Sequence, residues 1–179
     1  AMAMLARGRT PAGLTLLALA ALLHPLQAIG AGLIAWLWLV FRDRRWLHAL
    51  WSLPAVLMLA FAGIAPFDGL LKTVDPDTMR IAQSYSAHLF VASWRLIDFQ
   101  TLAFDVLVLG YAMRCAPPDW RGWARAGVVG IAIALITSFL LADVLRLLLP
   151  TGLQLWRAHW LTHWLAMASV GWLLHRDLA

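Results

Sequence analysis

The chain has 179 residues, of which 63% are apolar and only 13% charged. So few charges cannot cover a water-soluble domain of this size, where about half the residues are apolar, so lipid must face much of the surface. The formal charge of +5 comes from arginines scattered between apolar runs with no basic face, which argues against nucleic acid, and the single cysteine, Cys115, excludes a disulfide framework or a thiolate metal centre.

The first element is a run without Asp, Glu, Lys or Arg from residue 10 to 41. An upright helix needs about 20 residues to cross the hydrocarbon core, so this run exceeds one span, and His24-Pro25 breaks it in the middle. One broken crossing over about 12–41 is the favoured reading; entry and return at His24-Pro25 is the other. A signal peptide fits poorly, because the apolar run is too long and no clean cleavage site follows. Residues 46–65 form a second span with Pro54 inside it. A polar stretch over 66–100 follows. Within it, Asp75-Pro76 is a helix start, with Asp as N-cap and Pro at the first helical position. From there Ile81, Tyr85, Leu89, Ala92, Leu96 and Phe99 recur every three or four residues, the stripe of an amphipathic helix outside the membrane. Further spans are expected over 96–113, 126–149 and 154–174, separated by a Pro117-Pro118 loop and a turn at 150–153.

The fold class is therefore all-α: a polytopic transmembrane bundle of about five spans with one amphipathic extracytoplasmic helix. It forms a single membrane domain over 1–179, which reads as a piece of a longer polytopic protein. The turns at 42–45 and 114–125 hold six arginines and the 66–100 loop only three basic residues. Basic loops stay in the cytoplasm, so 42–45, 114–125 and 175–177 are placed inside, and 66–100 and 150–153 outside. A single crossing by 12–41 would strand Arg7 and Arg9 on the outer side. Trp36, Trp38, Trp46, Trp51, Trp120 and Trp123 flank the inner ends as an aromatic belt.

Ionisable groups at membrane depth mark candidate sites. The intramembrane polar residues are His24, Asp98, Asp105 and Asp143. Asp98 and Asp105 share a helix face, with Arg95 one turn before Asp98; Asp105 is either buried against an arginine, with Arg95 the candidate, or protonated through desolvation, or a proton or cation site. Asp143 and Arg146, three apart, pair with each other or leave Arg146 for an anion. Arg157 and His159 lie across the 150–153 turn from Arg146, so Arg146, Arg157 and His159 form a candidate anion or lipid-phosphate site. His159 and His163, at i and i+4, could share a metal from one helix face, but no glutamate lies between them and no metalloprotease motif results. No metal or cofactor is assigned. His24 is either the residue of a structural kink or a lining residue of a broken helix.

Three strings carry a resemblance: Leu22-Leu23-His24-Pro25-Leu26, the segment from Phe90 through Trp94 and Arg95 to Asp98-Phe99, and Leu153-Gln154-Leu155-Trp156-Arg157. Together they resemble bacterial multi-pass membrane proteins that look like GT-C-type glycosyltransferases. The resemblance implies residence in the bacterial inner membrane, a polyprenyl-phosphate-linked sugar as substrate, and a catalytic Asp in a first outer loop. That loop would precede residue 1, so the role is not transferred to Asp68, Asp75 or Asp77. Three functions stand beside each other: part of such a transferase, a transporter or channel-like bundle with an intramembrane Asp site, and a non-catalytic membrane subunit. The expected partners are the lipid bilayer and a lipid-linked substrate.

Overall fold

His24 decides the first third of the molecule. In a computed structural model that describes residues 1–178, its backbone leaves the helical region at φ −148° and ψ 78°. Pro25, with no N–H to donate, starts a new helix at its first position. The products are α1 (Met2–Ala6), α2 (Thr10–Leu23) and α3 (Pro25–Arg42). The run does not continue as one broken rod. α2 folds back along α3, so that Leu17 comes to 3.9 Å from where a Cβ on Gly32 would sit. Leu5, fully buried, then joins Ile34, Leu37 and Trp38 in one core cluster. The hairpin tip, with Leu22, Leu23 and His24, is exposed.

The expected second span is divided. Arg44–Trp51 winds as a tight 3₁₀ segment, and α4 (Ser52–Phe61) continues it, with Pro54 in the first turn, where its missing N–H costs nothing. Trp51, Leu53, Leu57, Met58 and Phe61 stay exposed.

Asp75 caps α5 (Pro76–Tyr85) by accepting from the Thr78 N–H at 2.9 Å, with Pro76 at N1. That bond, aided by the Thr78 hydroxyl, holds the Asp75 carboxyl below the usual carboxylate range. The long amphipathic helix expected beyond this point does not form. α5 ends at Tyr85, its buried residue is Met79, and the proposed stripe residues Ile81 and Tyr85 face outward. Residues 87–95 instead run through two single 3₁₀ turns, Ala87–Leu89 and Val91–Ser93.

α6 (Leu96–Cys115) matches its expectation. α7 (Pro118–Ser138) starts eight residues earlier than the apolar run suggested, because Pro118 occupies its first position. A π-helical turn, Phe139–Val144, prolongs it. The turn expected at 150–153 is the short helix α8 (Leu148–Leu153). Gln154, in a left-handed conformation, and a 3₁₀ turn then lead into α9 (Ala158–Leu178).

The secondary structure among the described residues is helical, apart from one isolated bridge between Thr73 and Leu147. Among the described residues three helices are long and apolar enough to cross a membrane: Pro25–Arg42, Leu96–Cys115 and Pro118–Val144. α7 packs on α3, α6 and α9. Close approach depends on small residues: Ala112, Ala124, Ala126, Gly127, Gly130, Ala134 and Ala166 are all buried in the seams. A Cβ on Gly30 would stand 2.9 Å from the Cα of Ala158, so α3 touches the start of α9 backbone to backbone. Large apolar side chains such as Leu107, Ile136 and Trp164 point outward, as a lipid-facing surface requires.

Candidate functional site

Asp105 sits at the tenth position of the 20-residue α6, about 14 Å from its start at 1.5 Å per residue. It has no exposed surface. The sequence reading offered Arg95 as its partner, but Arg95 lies nearly three turns away, at the helix start. There its backbone N–H donates to Asp98 at 2.8 Å and its guanidinium approaches the same carboxylate. Asp105 is held by α9 instead. His163 Nδ1 lies 2.9 Å from Asp105 Oδ1, and His159 Nε2 lies 3.2 Å from Oδ2. The i, i+4 spacing of the two histidines aims both rings at one carboxylate on the facing helix.

The hydrogen-bonding logic is constrained. An ionised carboxylate only accepts, so each ring must present an N–H to it. With Asp105 ionised, neutral His163 carries its proton on Nδ1 and keeps Nε2 free, and neutral His159 carries its proton on Nε2 and keeps Nδ1 free. With both rings neutral the cluster holds one negative charge. One added proton makes an imidazolium beside the carboxylate and brings the cluster to neutrality. Among the described residues no group of three His, Cys, Asp or Glu is arranged to hold a metal ion.

The histidines form the inner wall of a cleft of about 670 Å³. Its mouth carries Arg95, Asp98 and Thr101 from the start of α6; its other side carries His88, Trp94, Trp156 and Trp160. Trp94 is the centre of this aromatic wall. Its ring lies 6.0 Å from those of both Trp156 and His159, and its N–H donates to the His88 carbonyl at 3.3 Å. The Trp156 indole N–H is buried with no hydrogen-bond partner among the described residues, an unspent donor beside the cleft. Asp143 builds the rim from a distance: its carboxylate accepts from the N–H groups of Val91 and Ala92, at 3.2 and 2.9 Å. The segment that carries Trp94 is thus tied to the π-helical turn.

The other sequence candidates fall elsewhere. Asp143 and Arg146 make no ion pair among the described residues, since Asp143 is occupied with the rim. Arg146 sits at φ 54° and accepts from the Val74 N–H through its carbonyl. Arg157 donates to the Gln154 side chain and lies over the Trp156 ring. Neither Arg146 nor Arg157 lines the cleft; of that proposed trio only His159 does. His24 is exposed at the hairpin tip, away from the cleft. His88, Trp94, Trp156 and Trp160 were not among the site residues singled out from the sequence. A signal for the pairing was present: a carboxylate in mid-helix on one apolar segment and an i, i+4 histidine pair on another need each other if both segments are buried.

Comparison with protein-family models, with curated proteins and with solved structures finds no match.

Proposed function

We propose that the chain is a multi-pass membrane protein whose cleft binds a ligand and whose Asp105–His159–His163 cluster takes up a proton linked to that binding, as in a proton-coupled transporter. The crossings are α3, the combined Arg44–Trp51 and α4 segment, α6, α7 and α9, with α2 as a re-entrant arm. The divided second segment reaches about 31 Å, from eight residues at 2.0 Å and ten at 1.5 Å, which is enough for the core. The arginine-rich ends of α3, α6 and α7 then face the cytoplasm and the cleft opens outside.

The observation that carries this reading is the buried Asp105 between two histidines that wall the cleft. A carboxylate at mid-bilayer depth is costly, and the known uses of such groups include proton relays. The aromatic wall supplies stacking area, and the free ring nitrogens and the Trp156 N–H supply orientation. The test is 15N NMR of histidine-labelled protein in lipid nanodiscs. Asp105→Asn should change the ring-nitrogen signals of both His159 and His163. Signals of both rings left unchanged by Asp105→Asn would refute the cluster as a proton site.

A second reading is favoured by the cleft mouth. Arg95, Asp98 and the tryptophans lie at one end of α6, the place where a GT-C-like enzyme of a bacterial inner membrane would meet a polyprenyl-phosphate-linked sugar. His163, oriented by Asp105 with Nε2 free, has the form of a general base. Transfer from such a donor in reconstituted protein, lost in His163→Gln, would select this reading over the first.

A further inference from the structure

The opposite end of the bundle carries a second depression, independent of the aspartate–histidine cluster. It encloses about 340 Å³ and lies where the end of α3 meets the first turns of α7 and the last turn of α6. Three arginines surround it: Arg42, Arg121 and Arg125. One acid, Asp119, is present and is already paired with Arg42 at 2.6 Å. Arg121 and Arg125 have no carboxylate partner among the described residues; Arg125 lies over the Phe41 ring at 4.4 Å. The pocket therefore holds an excess of positive charge in a protein that elsewhere pairs its few acids.

The rest of the lining is apolar and aromatic. Phe41 and Met113 contribute, and Trp38, 1% exposed, forms the floor, stacked at 4.6 Å on Trp123. Arg42 sits over the same Trp38 ring at 4.3 Å. This packing fixes two of the three guanidinium groups by their faces; Arg42 donates to Asp119, and Arg125 keeps its N–H edge to donate. A planar fork held this way suits a phosphate oxygen pair. The neighbouring Trp36, Trp46 and Trp120, partly buried around the same cluster, place this end at the level where headgroups lie.

We propose that this pocket binds the phosphate headgroup of an anionic phospholipid, with Arg121 and Arg125 on the phosphodiester and an acyl chain running down past Met113. Charge excess selects an anion, and the apolar lining beside it selects one that carries a chain. Basic pockets between membrane helices recognise lipid headgroups on this physical basis.

The test uses the full chain in nanodiscs or detergent. Retention of phosphatidylglycerol against phosphatidylcholine is measured by native mass spectrometry, with inorganic phosphate as a separate arm. Wild type should retain phosphatidylglycerol preferentially, and Arg121→Gln with Arg125→Gln should lower that preference on the order of tenfold. Arg44→Gln with Arg45→Gln removes the same charge outside the pocket and should leave it unchanged. Equal loss in both double variants would reduce the effect to net charge and overturn the site. Binding of inorganic phosphate as tight as that of the lipid would replace the lipid site by a free-anion site. Should the pocket variant lose its helical circular dichroism, Arg121→Lys with Arg125→Lys keeps charge but not the fork, and undiminished preference there would overturn the proposed geometry.

Discussion

A carboxylate with no exposed surface must find every hydrogen bond within the protein, and Asp105 finds them on two rings of one neighbouring helix. Removing one partner leaves a buried charge under-solvated, whereas replacing the carboxylate with an apolar group of similar volume removes the demand altogether. His159→Ala should therefore lower stability by about 3 kcal/mol in reversible unfolding from detergent micelles. Asp105→Leu should cost less than His159→Ala, or stabilise, and should remove the proton uptake proposed for the cluster. A larger loss in Asp105→Leu would mean that the cluster is chiefly a structural tie. At this scale the sequence was partly readable. It flagged Asp105 and the His159–His163 spacing by depth and periodicity, because those are local properties. It named the wrong partner because Arg95 is near in sequence and α9 is near only in space. The local pairing that Arg95 makes is with Asp98, three residues on, which is what helix geometry favours.

Elements show the same division between local and long-range causes. Asp75-Pro76, Pro118 and Pro25 each start a helix where the chain chemistry demands it. The lost amphipathic helix beyond Tyr85 has a tertiary cause: Asp143 captures the N–H groups of Val91 and Ala92, which a continuous helix would have spent on its own carbonyls. Glycine positions are equally context-bound. Gly30 and Gly171 look alike in sequence, each inside an apolar helix. A Cβ at Gly30 would meet Ala158 backbone at 2.9 Å, whereas nothing among the described residues lies within 4 Å of one at Gly171. Gly30→Ala should thus force α3 from α9 and cost about 1–3 kcal/mol, while Gly171→Ala should be neutral or stabilising by about 0.5–1 kcal/mol. Paired unfolding curves in one micelle check this. Equal effects would show that the α3–α9 seam yields without strain.

For the whole molecule, the hairpin at His24 bears on a conflict of charge. If 12–41 crossed once, Arg7 and Arg9 would lie on the opposite side from Arg42, Arg44 and Arg45, against the bias of basic residues to one face. With α2 folded back on α3, all five arginines stand at one end, together with Arg114, Arg121 and Arg125 near the ends of α6 and α7. The aspartate–histidine cleft opens at the other end, so charge and chemistry are segregated along the bundle axis. α2, at 14 residues, reaches only about 21 Å, which is too short to cross alone but long enough for an arm packed on a full-length neighbour. The arrangement makes a topological prediction. In a Cys115→Ser background, single cysteines at Arg9 and at Arg44 should react with a membrane-impermeant maleimide from the same side of sealed vesicles, and one at Ser86 from the opposite side. Labelling of positions 9 and 44 from opposite sides would restore the single crossing, detach α2 from α3, and remove the hairpin on which the buried position of Leu5 depends.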